Sequence, residues 1–266
     1  MFDLTDKVVV ITGGTGVLGQ AIVRGLDRFG AKIAILGRNA DVGEALAGEL
    51  REAIFVPCDV LNKTDIETAS QQVLDQWGRV DALINGAGGN RADATVTAQT
   101  SFFDLPPEAI QHVFDVNFLG TFLTSQVFGK LMVNQKAGVM LNISSMSAMR
   151  PLSRVVAYGN AKASLDNLTQ WLAVHFAKEY GQHLRVNAIA PGFFLTDQNR
   201  YLLTEQSDPN TLTQRGKTII EHTPMGRFGE PSDLIGTVIW LLSDASKFVT
   251  GVVVPVDGGF SVNSGV

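Results

Sequence analysis

Residues 7–26 constrain this chain most. Lys7-Val-Val-Val-Ile11 is a short apolar run rich in β-branched residues and reads as a buried strand. It passes through Thr12-Gly-Gly-Thr-Gly-Val-Leu-Gly19 into Gln20-Ala-Ile-Val-Arg-Gly-Leu26, whose apolar residues recur at helical spacing. Strand, glycine-rich turn and helix in that order give Gly14-x-Gly16-x-x-Gly19 the context that a dinucleotide site requires. The glycines make the tight turn and let a pyrophosphate approach the backbone. The helix N-terminus there offers unpaired N–H groups and the positive end of a dipole. The expected contacts are Gly13, Gly14, Thr15, Gly16, Val17, Leu18 and Gly19.

The same alternation continues along the chain. Strands are expected at 32–36, 53–56, 80–84, 138–143, 184–189 and 252–256, with helices such as 65–77 and 157–180 between them. This predicts an α/β, single-domain Rossmann fold: a doubly wound parallel sheet with helices on both faces. Right-handed crossovers then place the loops that follow the strand C-termini on one ligand-binding edge. The 266 residues fit one large domain, and 45% hydrophobic content supplies its core. No repeat, low-complexity tract or linker divides residues 1–266. The least strand-like segment, 193–231, is rich in Gly, Pro and polar residues. A loop that long is usually functional, so it is expected to be a substrate-covering lid, helical within 211–223.

Tyr158-Gly-Asn-Ala-Lys162 places a phenol and an ammonium on one helix face, with Ser145 thirteen residues upstream. Such a set suits acid–base chemistry on a carbonyl or alcohol. A tyrosine titrates near ~10, and bringing it to ~7 requires roughly 4 kcal/mol of differential stabilisation. Lys162 and a positive nicotinamide ring are the expected sources.

These motifs, with Cys58-Asp59-Val60, Asn85-Gly86-Ala87-Gly88, Asn117, Pro191-Gly192 with Thr196, and Asp257-Gly-Gly259, resemble the short-chain dehydrogenase/reductase family over nearly the whole chain. One departure is that Val17 stands where most members carry the middle glycine of T-G-x-x-x-G-x-G, and Gly16 comes one residue earlier. That variant, with Asn85-Gly-Ala-Gly-Gly-Asn90, Pro191-Gly-Phe-Phe194 and Asn199-Arg200, is similar to the D-mannonate oxidoreductase (fructuronate reductase) branch. The resemblance implies that Asp59 and Val60 flank an adenine, and that Asn85, Gly86, Ala87 and Gly88 lie at the adenosine ribose. It places Pro191, Gly192, Phe194 and Thr196 at the nicotinamide. It also implies that Ser145 and Tyr158 hydrogen-bond a carbonyl oxygen, with Tyr158 as general acid. Lys162 would hold the nicotinamide ribose, and Asn117 would order a water in a proton relay. A homotetramer, or a homodimer, is implied as well.

The cofactor forks at Leu36-Gly37-Arg38-Asn39. No acid precedes Asp41 to hold ribose hydroxyls, and Arg38 can pair with a 2′-phosphate, which favours NADP(H). The mannonate-type resemblance favours NAD(H). A polar mouth is expected from Asn90, Arg91, Arg150, Arg154, Gln198, Asn199 and Arg200. Within it, Arg150 and Asn199-Arg200 are the expected contacts to a substrate carboxylate. The expected reaction joins a keto sugar acid to its hydroxy acid. The alternatives are another polar carbonyl, of ketogluconate or polyol type, or a non-catalytic nucleotide sensor.

A net charge of −5 argues against nucleic acid or an anionic membrane as partner. No apolar stretch approaches ~18 residues, so no membrane span is expected. No secretory leader is recognised at the N-terminus, which makes the cytoplasm the expected location. His112, His175, His183 and His222 show no metal-ligand spacing. Cys58, the single cysteine, reads as a small buried apolar residue.

Overall fold

Seven β-branched or apolar runs form one parallel sheet in the order β3-β2-β1-β4-β5-β6-β7. The structure, a computed structural model, describes residues 1–196, 200–205, 208 and 211–265, with only the backbone of Tyr201. The strands are β1 (Val8–Thr12), β2 (Lys32–Gly37), β3 (Ala53–Pro57), β4 (Ala82–Asn85), β5 (Gly138–Ile143), β6 (Leu184–Pro191) and β7 (Val253–Val256). Every expected strand is present within about two residues at either end. Strand order reverses at β1 and β4, the switch point where ligands bind in such sheets.

Alternate residues of each strand enter different cores. Val8 and Val10 of β1 and Ala34 and Leu36 of β2 pack on one face of the sheet. There they meet α3 (Lys63–Trp77), α5 (Gly120–Gln135) and α7 (Val156–Glu179) through Val73, Phe128 and Leu165. Val9, Ile11, Ile33 and Ile35 pack on the other face, with Ile22 and Leu26 of α1 (Val17–Arg28), Leu46 of α2 (Ala40–Gly48) and Val238 of α10 (Ile235–Leu242). A sheet buried on both faces explains why β1 and β6 are buried at every residue and read as continuous apolar runs.

The remaining helices serve the ligand edge. α4 (Pro107–Phe114) leads through one π turn, Asp115–Leu119, into α5. α6 (Met146–Met149) follows β5. The 193–231 segment holds α8 (Arg200–Leu203) and α9 (Gln214–His222), the second inside the expected helical range. Its two ends meet where Gly229 N–H donates to the Phe193 carbonyl, 2.9 Å. None of the described helices is long and apolar enough to cross a membrane.

Candidate active site

The turn after β1 is built on close backbone approach. Gly13 has φ +69°, and a Cβ there would lie 2.6 Å from the Gly86 carbonyl oxygen. Thr12 Oγ1 accepts from the N–H groups of Gly86 and Ala87, 3.1 Å each, and so ties the turn after β4 to the turn after β1. A Cβ on Gly19 would overlap the Gly13 carbonyl, so α1 can leave β1 this sharply only with glycine there. Gly16 differs. A Cβ on it would meet nothing nearer than the Gly13 carbonyl, at 3.5 Å. The space above Gly16 is open, and the first turn of α1 has neither a side-chain cap nor an acid. That is a cradle suited to a pyrophosphate.

A groove of about 430 Å³ runs from this cradle along the strand ends. Gly13, Thr15, Gly16, Val17, Leu18, Gly19, Arg38, Asp59, Val60, Gly86, Ala87, Gly88, Tyr158, Lys162 and Thr196, all named from the sequence, line it. Six residues expected there do not, and three of them, Pro191, Gly192 and Phe194, line the neighbouring cavity instead. Gly14 is turned inward, where a Cβ would press on Ile35 at 2.9 Å. Asn39 caps α2 by accepting from Val42 N–H, 3.1 Å. Asn85 is buried in a polar ladder, donating to Asn142 Oδ1 (2.9 Å) and accepting from Thr124 Oγ1 (2.7 Å). Its amide is consumed in joining β4 to β5 and α5. Arg38 is exposed at the end of β2 and forms no ion pair among the described residues.

Tyr158 and Lys162 occupy the first two turns of α7. Lys162 is buried; its Nζ donates to the Ile143 carbonyl (2.7 Å) and stands 5.7 Å from the Tyr158 ring centre. Burial pushes its pKa down to about 8, against the pull of Asp166 one turn later. Asp166 accepts a short hydrogen bond from Ser144. Ser145 caps α6, its Oγ accepting from Ser147 N–H (3.2 Å) and Ser147 Oγ (2.9 Å). Tyr158 is partly exposed in the cavity wall, yet packing around its phenol pushes its pKa above the ordinary value, and a hydrogen bond with Ser145 works the other way. The net shift is upward, opposite to the lowering expected from Lys162, because burial dominates. Asn117 sits in the π turn, the irregularity that often marks a functional site. Its side chain grips Gly89, donating to the carbonyl (2.7 Å) and accepting from the N–H (3.1 Å), and also donates to Val113 (2.8 Å). A Cβ on Gly88 would strike Asn117 Oδ1 at 2.5 Å and Lys162 Nζ at 3.3 Å, so these groups meet around one glycine.

A second cavity, of about 350 Å³, opens on the other side of Tyr158. Leu18, Ile143, Tyr158 and Thr196 line both spaces, and Ser145, Asn90, Arg91, Pro191, Gly192 and Phe194 line this one. Asn90 donates to Thr95 Oγ1 (2.8 Å), but its Oδ1 is buried without a hydrogen-bond partner among the described residues. Leu202 and Leu203 of α8 and Arg215 of α9 close one wall. Two of the expected carboxylate contacts, Arg150 and Arg200, do not line it. Arg150 Nε instead donates to the Ser261 carbonyl, 2.8 Å. Arg200 is exposed on α8, and Gln198 and Asn199 lie outside the described residues.

A tyrosine, a buried lysine and a serine therefore stand where a dinucleotide groove meets a substrate-sized cavity. Residues 15–261 match the family model described as enoyl-(acyl carrier protein) reductase. The uncharacterized oxidoreductase UxuB of Bacillus subtilis is 50% identical over 99% of this chain and 98% of its own. The chain belongs to the short-chain dehydrogenase/reductase family. It is an oxidoreductase of that family by fold, motif and likeness. Its fold also matches a crystal structure from Haemophilus influenza with bound NAD, assigned provisionally as a D-mannonate oxidoreductase (TM-score 0.91, 41% identity, 99% of this chain and 98% of that one). The 5-keto-D-gluconate 5-reductase of Escherichia coli is 32% identical over 98% of each chain.

Sequence reading missed Arg215 in this dehydrogenase/reductase cavity. A helical signal was available: Arg215 stands four residues before Ile219, the buried apolar residue of α9, and so shares its inward face. Asp166 was missed on the same ground, being one turn beyond Lys162.

Proposed function

We propose that this protein interconverts a keto sugar acid and its hydroxy acid with a nicotinamide dinucleotide, D-fructuronate and D-mannonate being the leading pair. The observation that carries this is the position of Tyr158 at the wall shared by groove and cavity, with Ser145 beside it on the cavity side. When bound, the nicotinamide supplies or accepts the hydride. Ser145 and Tyr158 donate hydrogen bonds to the substrate oxygen and stabilise the charge that develops on it. Tyr158 delivers the proton in reduction and removes it in oxidation. Lys162 anchors the ribose side of the groove and keeps a positive charge beside the phenol. Asn117 holds the Gly88-Gly89 turn against Lys162, and its place beside that lysine supports a water relay. Asn90 Oδ1 offers a buried acceptor to a substrate hydroxyl, and leaving such an acceptor unpaired costs about 1–3 kcal/mol. The 193–231 segment acts as the lid, through Leu202, Leu203 and Arg215.

Arg38, at the end of β2 with no ion pair among the described residues, supports NADP(H), whereas the NAD held by the Haemophilus relative supports NAD(H). The Escherichia coli relative supports a 5-ketogluconate-type substrate as second reading. The exposed Trp171 and Val174 on α7 support assembly through that helix, as a homotetramer or homodimer. The test is absorbance at 340 nm with D-fructuronate, using NADH and NADPH in turn. Rapid oxidation of either is expected, and their ratio assigns Arg38. No oxidation with either, in protein shown to bind cofactor, moves the assignment to another polar ketone.

A further inference from the structure

The arginines around the substrate cavity differ in their partners. Arg91 is held by Asp93, at 2.8 and 2.6 Å. Arg150 is held by the Ser261 carbonyl. Arg215 is half-buried in the cavity wall with Ser145 and Tyr158, and among the described residues only its Nη1 is engaged, by the Ser153 hydroxyl at 3.2 Å. A guanidinium has five N–H donors, so most of Arg215's are unmet by the described protein.

The nearest charge makes matters worse. Arg154 follows Ser153, and its charge adds to burial in pushing the pKa of Arg215 down. Neither arginine has an ion pair among the described residues. Arg154 holds φ +78°, an uncommon conformation for a residue with a side chain, and its carbonyl accepts from Val96 N–H, 2.9 Å. Arginine does not deprotonate in proteins. Among the described residues, two like charges, one on a strained backbone and one half-buried in the cavity wall, are thus kept together with no acid paired to either. A planar carboxylate fits this vacancy in charge, because a guanidinium fork can donate to both of its oxygens.

We infer that Arg215, with Arg154 behind it, anchors the substrate carboxylate and selects carboxylated polar ketones over neutral ones. This rests on the sugar-acid reading of the cavity. The test uses the full-length, cofactor-loaded protein with Arg215→Ala, Arg215→Lys and Arg154→Ala. With D-fructuronate, Arg215→Ala should lower kcat/KM about 100-fold, mainly through KM. Lysine should recover about tenfold of that as a point charge, and Arg154→Ala should cost less. KM for the cofactor and kcat/KM for D-fructose, the neutral counterpart, should stay within about twofold. A second readout needs no turnover: D-gluconate should raise the melting temperature of the wild type and not of Arg215→Ala, and sorbitol should raise neither. If wild type and Arg215→Ala use D-fructuronate equally well, or if acid and neutral substrates suffer alike, the anchor is wrong and the function stands. If the wild type turns over no keto acid, the functional reading falls. The anchor then survives only on Arg215-dependent stabilisation by D-gluconate and falls without it. Should Arg215→Ala not fold, the lysine variant and Arg154→Ala decide by the same two readouts.

Discussion

The two halves of the ligand edge are made of different material. The cofactor side, over the turns after β1 and β4, is a set of backbone approaches that leave room for one residue type. Gly13 faces Gly86 with no space for a methyl group, and Gly19 faces Gly13 likewise. The substrate side, over α6, α8 and α9, is a set of side chains whose roles depend on rival partners. Arg91 and Arg150 are used up by the protein, whereas among the described residues Arg215 is held by Ser153 alone. Side-chain changes on the substrate side should therefore alter chemistry at constant fold. On the cofactor side, most changes should alter both together.

The strongest test of that separation is Tyr158→Phe. Removing the phenol takes away the proton donor and one hydrogen bond to the substrate oxygen, while the ring still fills its place beside Lys162. Turnover should fall about 10³-fold, within the range typical of a lost general acid. Dinucleotide affinity, followed by fluorescence titration, should stay within about twofold. A comparable loss of affinity would mean that the two halves are not separable at Tyr158.

Within the cofactor side itself, Gly16 should behave unlike Gly19. Gly19→Ala must displace the Gly13 carbonyl, and overpacking of that kind costs about 1–3 kcal/mol. In a domain of this size that lowers the melting temperature by about 2–4 °C per kcal/mol. Gly16→Ala finds open space and a φ of −76° that any residue tolerates. Its stability should change by less than about 0.5 kcal/mol. Its dinucleotide dissociation constant should rise at least about tenfold, because the methyl occupies the cradle. If Gly16→Ala binds normally, the pyrophosphate does not pass over that residue.

The same contrast decides what was legible in the sequence. The parallel sheet and the glycine turn could be read because β-branched runs and glycine spacing act locally, with few alternatives. Tyr158, Lys162 and Ser145 could be read because a fixed spacing on one helix and its preceding loop brings them together. The clearest departures concern polar side chains whose partners are distant in sequence. Asn85 is claimed by Asn142 and Thr124, and Arg150 by Ser261, 111 residues away. Nothing near Arg150 in the chain announces that carbonyl. Asn39 is a milder case, because an Asn before a helix is the ordinary N-cap and could have been read so.

The smallest expected effect concerns Lys162, on the boundary between the halves. Its folded pKa is pushed down to about 8 from an ordinary 10.5. Below pH 8 both folded and unfolded chains carry the proton, and the fold bears the cost of burying the charge. Between pH 8 and 10.5 the unfolded chain binds more protons than the folded one, so stability rises with pH through that window. Without cofactor, going from pH 7 to 9 should add about 1 kcal/mol, or about 2–4 °C. Lys162→Met, which cannot titrate, should lack this rise. The comparison must stop near pH 9, because Cys58, pushed up to about 12 by burial, acts in the opposite sense above its ordinary 9.0. A bound dinucleotide should flatten the rise if its ribose and phosphates keep Lys162 charged. A rise that survives cofactor binding unchanged would place Lys162 with the substrate side and out of the cofactor's reach.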